Sequence, residues 1–270
     1  MKINKILLKY IYLVIVIFCF LKVQAQSDSI VEKEISADEY RFFMTNNNHS
    51  FFSGSLQIVD KYNNTVFYAD SFYTRYNWDT LIDLNGDGNK DFILDVGTGA
   101  TMYDYNMFLI FDFKKSSESL FEIHNAELIT GVDKIPKITS YERLSPAVMG
   151  AGYVYSLKYE NDKIVLETDM MNSNVLKSFD TDEEEDLYLI KEYGKEFDEC
   201  EEDSQVLIYY QAYLIQQKIL CEEKRGWKFF DKHYKCKNKK KVKAGLKKIV
   251  DESYSYIADP NNYKFALNKY

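Results

Sequence analysis

Asp83, Asn85, Asp87, Asn89 and Asp91 place oxygen-bearing side chains at alternate positions of one short stretch, Asp-Leu-Asn-Gly-Asp-Gly-Asn-Lys-Asp. With Asp83 as position one, Asn85 falls at position three and Asp87 at five. Gly88 at position six permits a sharp turn. Asn89 at position seven offers its backbone carbonyl, and Asp91 at position nine binds directly or through water. Hard oxygen donors at this spacing are the chemistry that Ca²⁺ takes. The expected metal ligands are therefore Asp83, Asn85, Asp87, Asn89 and Asp91, and the expected cofactor is a structural Ca²⁺. The alternative for these residue types is a plain Asx-rich turn. Carboxylates packed this closely repel unless neutralised, which favours the metal. Mg²⁺ suits the loop less, because it demands strict octahedral geometry and keeps its waters. Position twelve is Leu94, where an EF-hand needs a bidentate Glu, and both flanks read as strands, so an EF-hand is rejected. Extracellular-type sites bind at about 10⁻⁴ to 10⁻³ M, which makes the ion a support for the fold rather than a sensor. Asp79 and Asp95 are further candidate ligands beside the loop.

Other groupings carry less chemistry. His49, His124 and His233 are not in metal-ligand spacing. His49 with Ser50, Ser53 or Asp60 lacks the Gly-x-Ser-x-Gly elbow of a hydrolase. Gly97-Thr98-Gly99 lacks the Lys-Ser/Thr and following helix of a phosphate loop. The Lys235–Lys248 run suits solvent or the acid cluster at 182–203 better than an anionic surface. Trp227-Lys228-Phe229-Phe230 reads first as a core anchor and second as a partner contact.

The elements that must hold the loop read as strands. Residues 26–48 form an expected loose lead-in. Ser55–Val59 and Thr65–Tyr68 are joined by turn residues and predict a hairpin. Strands are expected at 92–94, 105–113, 121–128 and 135–141, with a second hairpin over 150–160 and 163–167. The composition then changes. Residues 182–203 hold 12 Asp or Glu against two Lys, and Val206–Leu220 has helical spacing, capped by Asp203 or Ser204 and ended by Glu222–Gly226. The expected fold is mainly β, a small propeller-like or sandwich-like antiparallel meander with one calcium loop over 49–175. An α-helical C-terminal appendage follows over 180–270.

Lys2, Lys5 and Lys9, the apolar run Tyr10–Leu21 and the small residue Ala25 have the three parts of a secretory signal peptide, so residues 1–25 are expected to be removed. The run is short for a membrane span, and no integral span is expected after cleavage. Cys19 follows Val16, Ile17 and Phe18, not the small residues that lipoprotein processing uses. A net charge of −8 argues against nucleic acid as a partner. Aromatic content of 16% with 23 Tyr suits a strand-rich packed fold. Cys200, Cys221 and Cys236 allow one disulfide and leave one thiol, with three pairings open.

The stretch from Asp83 to Leu94 resembles the repeat loop of integrin-type FG-GAP and VCBS propellers. The early hairpin, the aromatic strand at 103–113 and the Tyr-rich hairpin at 153–166 extend the likeness to small exported proteins described as vestigial calcium-binding β-propellers. The resemblance covers roughly 50–170. It implies a truncated propeller outside the cytoplasm, with some relatives acting as inhibitors of lysozyme-like effectors. This chain carries one such Asp loop, and 180–270 lies outside the resemblance. The expected function is that of an exported, non-enzymatic, calcium-stabilised binding protein, an inhibitor or immunity-type partner of another exported protein, in the periplasm or outside the cell. The alternatives are a carbohydrate-active or other hydrolase using paired carboxylates, and a structural envelope-associated protein.

Overall fold

The computed structural model describes residues 29–47, 54–72, 75–97, 106–114, 120–130, 135–145, 148, 150–168, 183–194, 200–201 and 204–265. The expected signal peptide and His49 lie outside these residues, as do the 98–99 portion of the Gly-Thr-Gly stretch and the expected domain boundary between 175 and 180. The chain forms two compact units, one up to Thr74 and one over Arg75–Lys269. Among the described residues the fold is mainly β, with three four-stranded antiparallel sheets and a set of C-terminal helices, and no sheet closes into a barrel.

The first unit is an antiparallel meander of β1 (Ser29–Ala37), β2 (Tyr40–Asn47), β3 (Gly54–Asp60) and β4 (Thr65–Phe72), in that order. Period-two alternation buries Ile35, Phe42, Met44, Leu56, Ile58 and Phe67. The β3–β4 turn is built on Asp60, whose Oδ1 accepts from the Tyr62 and Asn64 amides at 2.8 Å each. Residues 29–47 are thus paired strands rather than a loose lead-in. Their alternation is hidden because the register shifts between Val31 and Lys33, a bulge that moves side chains to the other face.

The second unit holds the other two sheets. One runs β5 (Arg75–Ile82), β6 (Asp91–Gly97), β7 (Met107–Phe111) and β8 (Leu120–His124). The other runs β9 (Ala126–Thr130), β10 (Pro136–Arg143), β11 (Gly152–Glu160) and β12 (Lys163–Leu166). Strands β6 and β7 are buried along their whole length, which explains their unbroken apolar runs. The single strand expected over 121–128 is two strands in different sheets. Asn125 takes φ 48°, and its amide bonds the Asn106 carbonyl at 2.9 Å while its carbonyl accepts from Tyr141. Only Gly, Asn and Asp adopt that conformation at low cost.

Helices α1 (Glu183–Gly194), α2 (Val206–Ile219), α3 (Glu223–His233) and α4 (Lys239–Ala258) follow, then a 3₁₀ turn at Pro260–Tyr263. They are not a separate appendage. Tyr210, Leu214, Phe229 and Phe230 share one apolar cluster with Ile93, Phe108, Ile138 and Leu157 of the two sheets. Gln216 of α2 also completes the sheet: its Oε1 accepts from the Val154 amide at 2.8 Å and its Nε2 donates to the Val154 carbonyl at 3.1 Å. The expected end of α2 at Glu222–Gly226 is instead the start of α3. Cys221 turns the chain with φ 60°, and Gly226 lies inside α3, where a Cβ would meet Gln217 Cβ at 3.1 Å. Gly226 is an interhelical contact, not a stop. Residue 205 holds the N-cap position of α2, and Ser204 Oγ accepts from the Val206 amide at 3.4 Å.

Cys200 and Cys236 form the disulfide and Cys221 is an exposed thiol, which selects one of the three pairings. Lys239 and Lys243 of the basic run pair with Asp231 of α3 at 3.4 and 2.6 Å. Phe229 and Phe230 are buried, as expected of a core anchor. Among the described residues, no helix is long and apolar enough to cross a membrane.

Candidate metal centre

The loop from Asp83 to Lys90 joins β5 to β6, and pairing of Ile82 with Asp91 fixes its two ends. Within it, Asp83 is the hub. Its Oδ1 accepts from the Gly86 and Asp87 amides at 2.7 and 3.1 Å, and its Oδ2 accepts from Gly88 at 2.8 Å. Gly86 and Gly88 take φ 75° and 86°, which explains both glycines. Asn85 Oδ1 accepts from the Asp87 amide at 3.0 Å, and Asp87 Oδ1 from the Asn89 amide at 2.8 Å. Asp91 Oδ2 accepts from the Leu84 amide at 3.1 Å. The five expected residues therefore share one tight loop, with Leu84 as its buried anchor.

Two residues that sequence reasoning missed belong to the same place. Lys114 Nζ sits 2.5 Å from Asp87 Oδ2. Phe92 pairs with Phe111, so the next position outward sets Asp112 beside Asp91. Asp112 Oδ2 accepts from the Tyr159 hydroxyl at 2.5 Å, and its Oδ1 accepts from the Lys114 amide at 2.9 Å. Strand register is the signal that would have found Asp112, and it is available only once β6 and β7 are paired.

The electrostatics divide the acids. The Lys114 ammonium, with amide donors from Asn89 and Asn85, holds Asp87 well below the usual carboxylate range. Burial pushes Asp91 up to about 6, aided by the charges of Asp112, Asp87 and Asp83 and opposed by the Leu84 amide. The Asp87 carboxylate raises Lys114 in turn. The Tyr159 phenol is pushed up, first by burial and then by Asp112.

The donor set is one of hard oxygens in the order a calcium loop uses, and a cation, the Lys114 ammonium, already sits on one of them. In this conformation the carboxylates are turned to the loop's own amides. Among the described residues, no three Asp, Glu, His or Cys side chains converge as a metal cluster. The residues fit a hard cation in type and order, and Asp83, Asp87 and Asp91 would hold it once Asp87 leaves Lys114. The other two candidate ligands have partners further along the strands. Asp79 accepts from Tyr76 at 2.7 Å, and Asp95 from Asn77 at 3.3 Å. His233 packs on Phe229 with centroids 4.7 Å apart. No protein-family model matches the chain, and neither a curated protein nor a solved structure matches it.

Proposed function

We propose that this chain is an exported, non-enzymatic binding protein, stabilised by a structural Ca²⁺ in the β5–β6 loop, whose partner is another exported protein. The observation that carries the reading is the loop itself. Asp83, Asn85, Asp87, Asn89 and Asp91 share one loop in the order a calcium loop uses, and Asp112 stands beside Asp91. Asp87 already holds one cation, the Lys114 ammonium, and Gly86 and Gly88 supply the positive-φ positions of the turn. A further support for the propeller-like reading is that each sheet is a meander of four strands consecutive in sequence, the form of a propeller blade. The Asp loop joins the first two strands of the β5–β8 sheet.

The test is a thermal melt of residues 26–270 in EDTA and then in millimolar Ca²⁺, repeated on Asp83→Ala and Asp87→Ala. A ligand at 100 times its Kd adds about 2.7 kcal/mol, a rise of several degrees in a domain of this size. The expected outcome is a calcium-dependent rise in the parent protein that both variants lose. An unchanged melt in the parent refutes the calcium site. Hydrolysis of a polysaccharide or peptide that disappears with one Asp substitution refutes the non-enzymatic reading.

A further inference from the structure

A cleft of about 450 Å³ opens within the second unit, between the Asp loop and the third sheet. Lys137 and Glu167 line it, and they are 8% and 4% exposed. Their side chains bond each other, and Glu167 Oε2 also accepts from Ser156 Oγ at 2.8 Å. A buried ion pair pays a desolvation cost that apolar residues of the same volume avoid, so its place in a cleft asks for a polar role. Lys158 and Glu160 form a second pair at 2.9 Å, 39% and 52% exposed, at the start of the β11–β12 turn. Asn161 in that turn also lines the cleft, with φ 50°.

The charge pattern selects a class of ligand. Each cation lining the cleft has an acidic partner, and Asp87 at its edge is held by Lys114. Among the described lining residues each charge is paired, so a charged ligand must compete with ion pairs already made. A neutral ligand bearing several hydroxyls donates to the carboxylates and accepts from the ammonium and amide groups while the pairs stay intact. The volume is within the range of small-molecule sites. A peptide strand docks through a row of main-chain groups on a free sheet edge, whereas this lining is mostly polar side chains. We infer that the cleft bounded by Lys137, Glu167, Lys158, Glu160 and Asn161 binds a neutral polyhydroxylated ligand of short-oligosaccharide size.

The Asp loop forms one wall of the cleft, so the experiment is run on residues 26–270 both in EDTA and in millimolar Ca²⁺, which separates ligand binding from the calcium reading. Saturation-transfer NMR and calorimetry use maltotriose, cellotriose and chitotriose as neutral probes and triglycine as a peptide probe. The expected result is saturable binding of at least one trisaccharide. The Lys158→Ala/Glu160→Ala double variant weakens that binding by about tenfold, and Asn161→Gly, which removes the amide at a position glycine adopts freely, weakens it as well. The variants change two exposed residues, Glu160 and Asn161, and the half-buried Lys158, and an unaltered melt confirms their fold. Absence of saturable binding by every trisaccharide overturns the inference. So does binding that both variants retain in full, and so does binding of triglycine alone.

Discussion

Lys114 is the residue on which the behaviour of the Asp loop turns. Its ammonium lies on Asp87 at 2.5 Å, and its charge also reaches Asp112 and Asp91. A calcium ion entering the loop must displace it, so the lysine is an internal competitor. Replacing it by a neutral chain, Lys114→Met, is expected to tighten calcium binding severalfold. Calorimetric titration of the two proteins reads the difference, and a weaker site in Lys114→Met would contradict the competition. Asp112→Asn is expected to weaken binding, because it removes one of the charges beside Asp91 that a cation relieves. The loop residues themselves were legible as a spaced series of oxygens. Asp112 and Lys114 were not, because their relation to the loop is a matter of register across β6 and β7 and not of spacing along the chain.

The elements are held by a few contacts that local patterns do not reveal. Gln216 satisfies both backbone groups of Val154, so Gln216→Leu keeps the volume and strands an amide and a carbonyl. The expected cost is about 2 kcal/mol, read as a lower urea midpoint with an unchanged slope. Gly152 of β11 has the Glu142 carbonyl 2.6 Å from where a Cβ would stand, so Gly152→Ala forces β10 and β11 apart and lowers the melting temperature. The Cys200–Cys236 bridge spans a sequence separation of 36, and replacing both by Ser is expected to cost about 3–4 kcal/mol by loop entropy. Hairpins such as β3–β4 and β11–β12 were readable because alternation and turn residues lie side by side in the chain. The β1–β2 hairpin was not, because its bulge breaks the alternation, and α3 was not, because Gly226 looks like a stop when only its neighbours are read.

At the scale of the whole molecule the core is aromatic, and much of its polar capacity is phenolic. Burial pushes Tyr155 up to about 12, and burial also raises Tyr153, Tyr159 and Tyr263. An unfolded tyrosine ionises near pH ~10. Above that pH the unfolded chain holds fewer protons than the native one, so stability falls as pH rises. The contribution of Tyr155 is complete below about pH 10 and is lost on the way to about 12. Melts across this range are expected to drop steeply, with the rise in tyrosinate absorbance tracking unfolding. Early absorbance change in a still-folded protein would show that these phenols are open to solvent.

What the sequence determined by itself is local: the order of oxygens in the Asp loop, the two clear hairpins, the α2 helix, and a mainly β chain followed by helices. Each rests on interactions between residues a few positions apart, where turn preference and periodicity act directly. The tertiary structure decided the rest. It placed Lys114 on Asp87 and Asp112 beside Asp91, chose Cys200–Cys236 from three pairings, and divided the stretch 121–128 between two sheets. It also brought Lys137 to Glu167, 30 residues away, at a cleft. Such contacts depend on strand register and on which apolar faces are buried together, so residues distant in the chain become neighbours only when the sheets and helices pack.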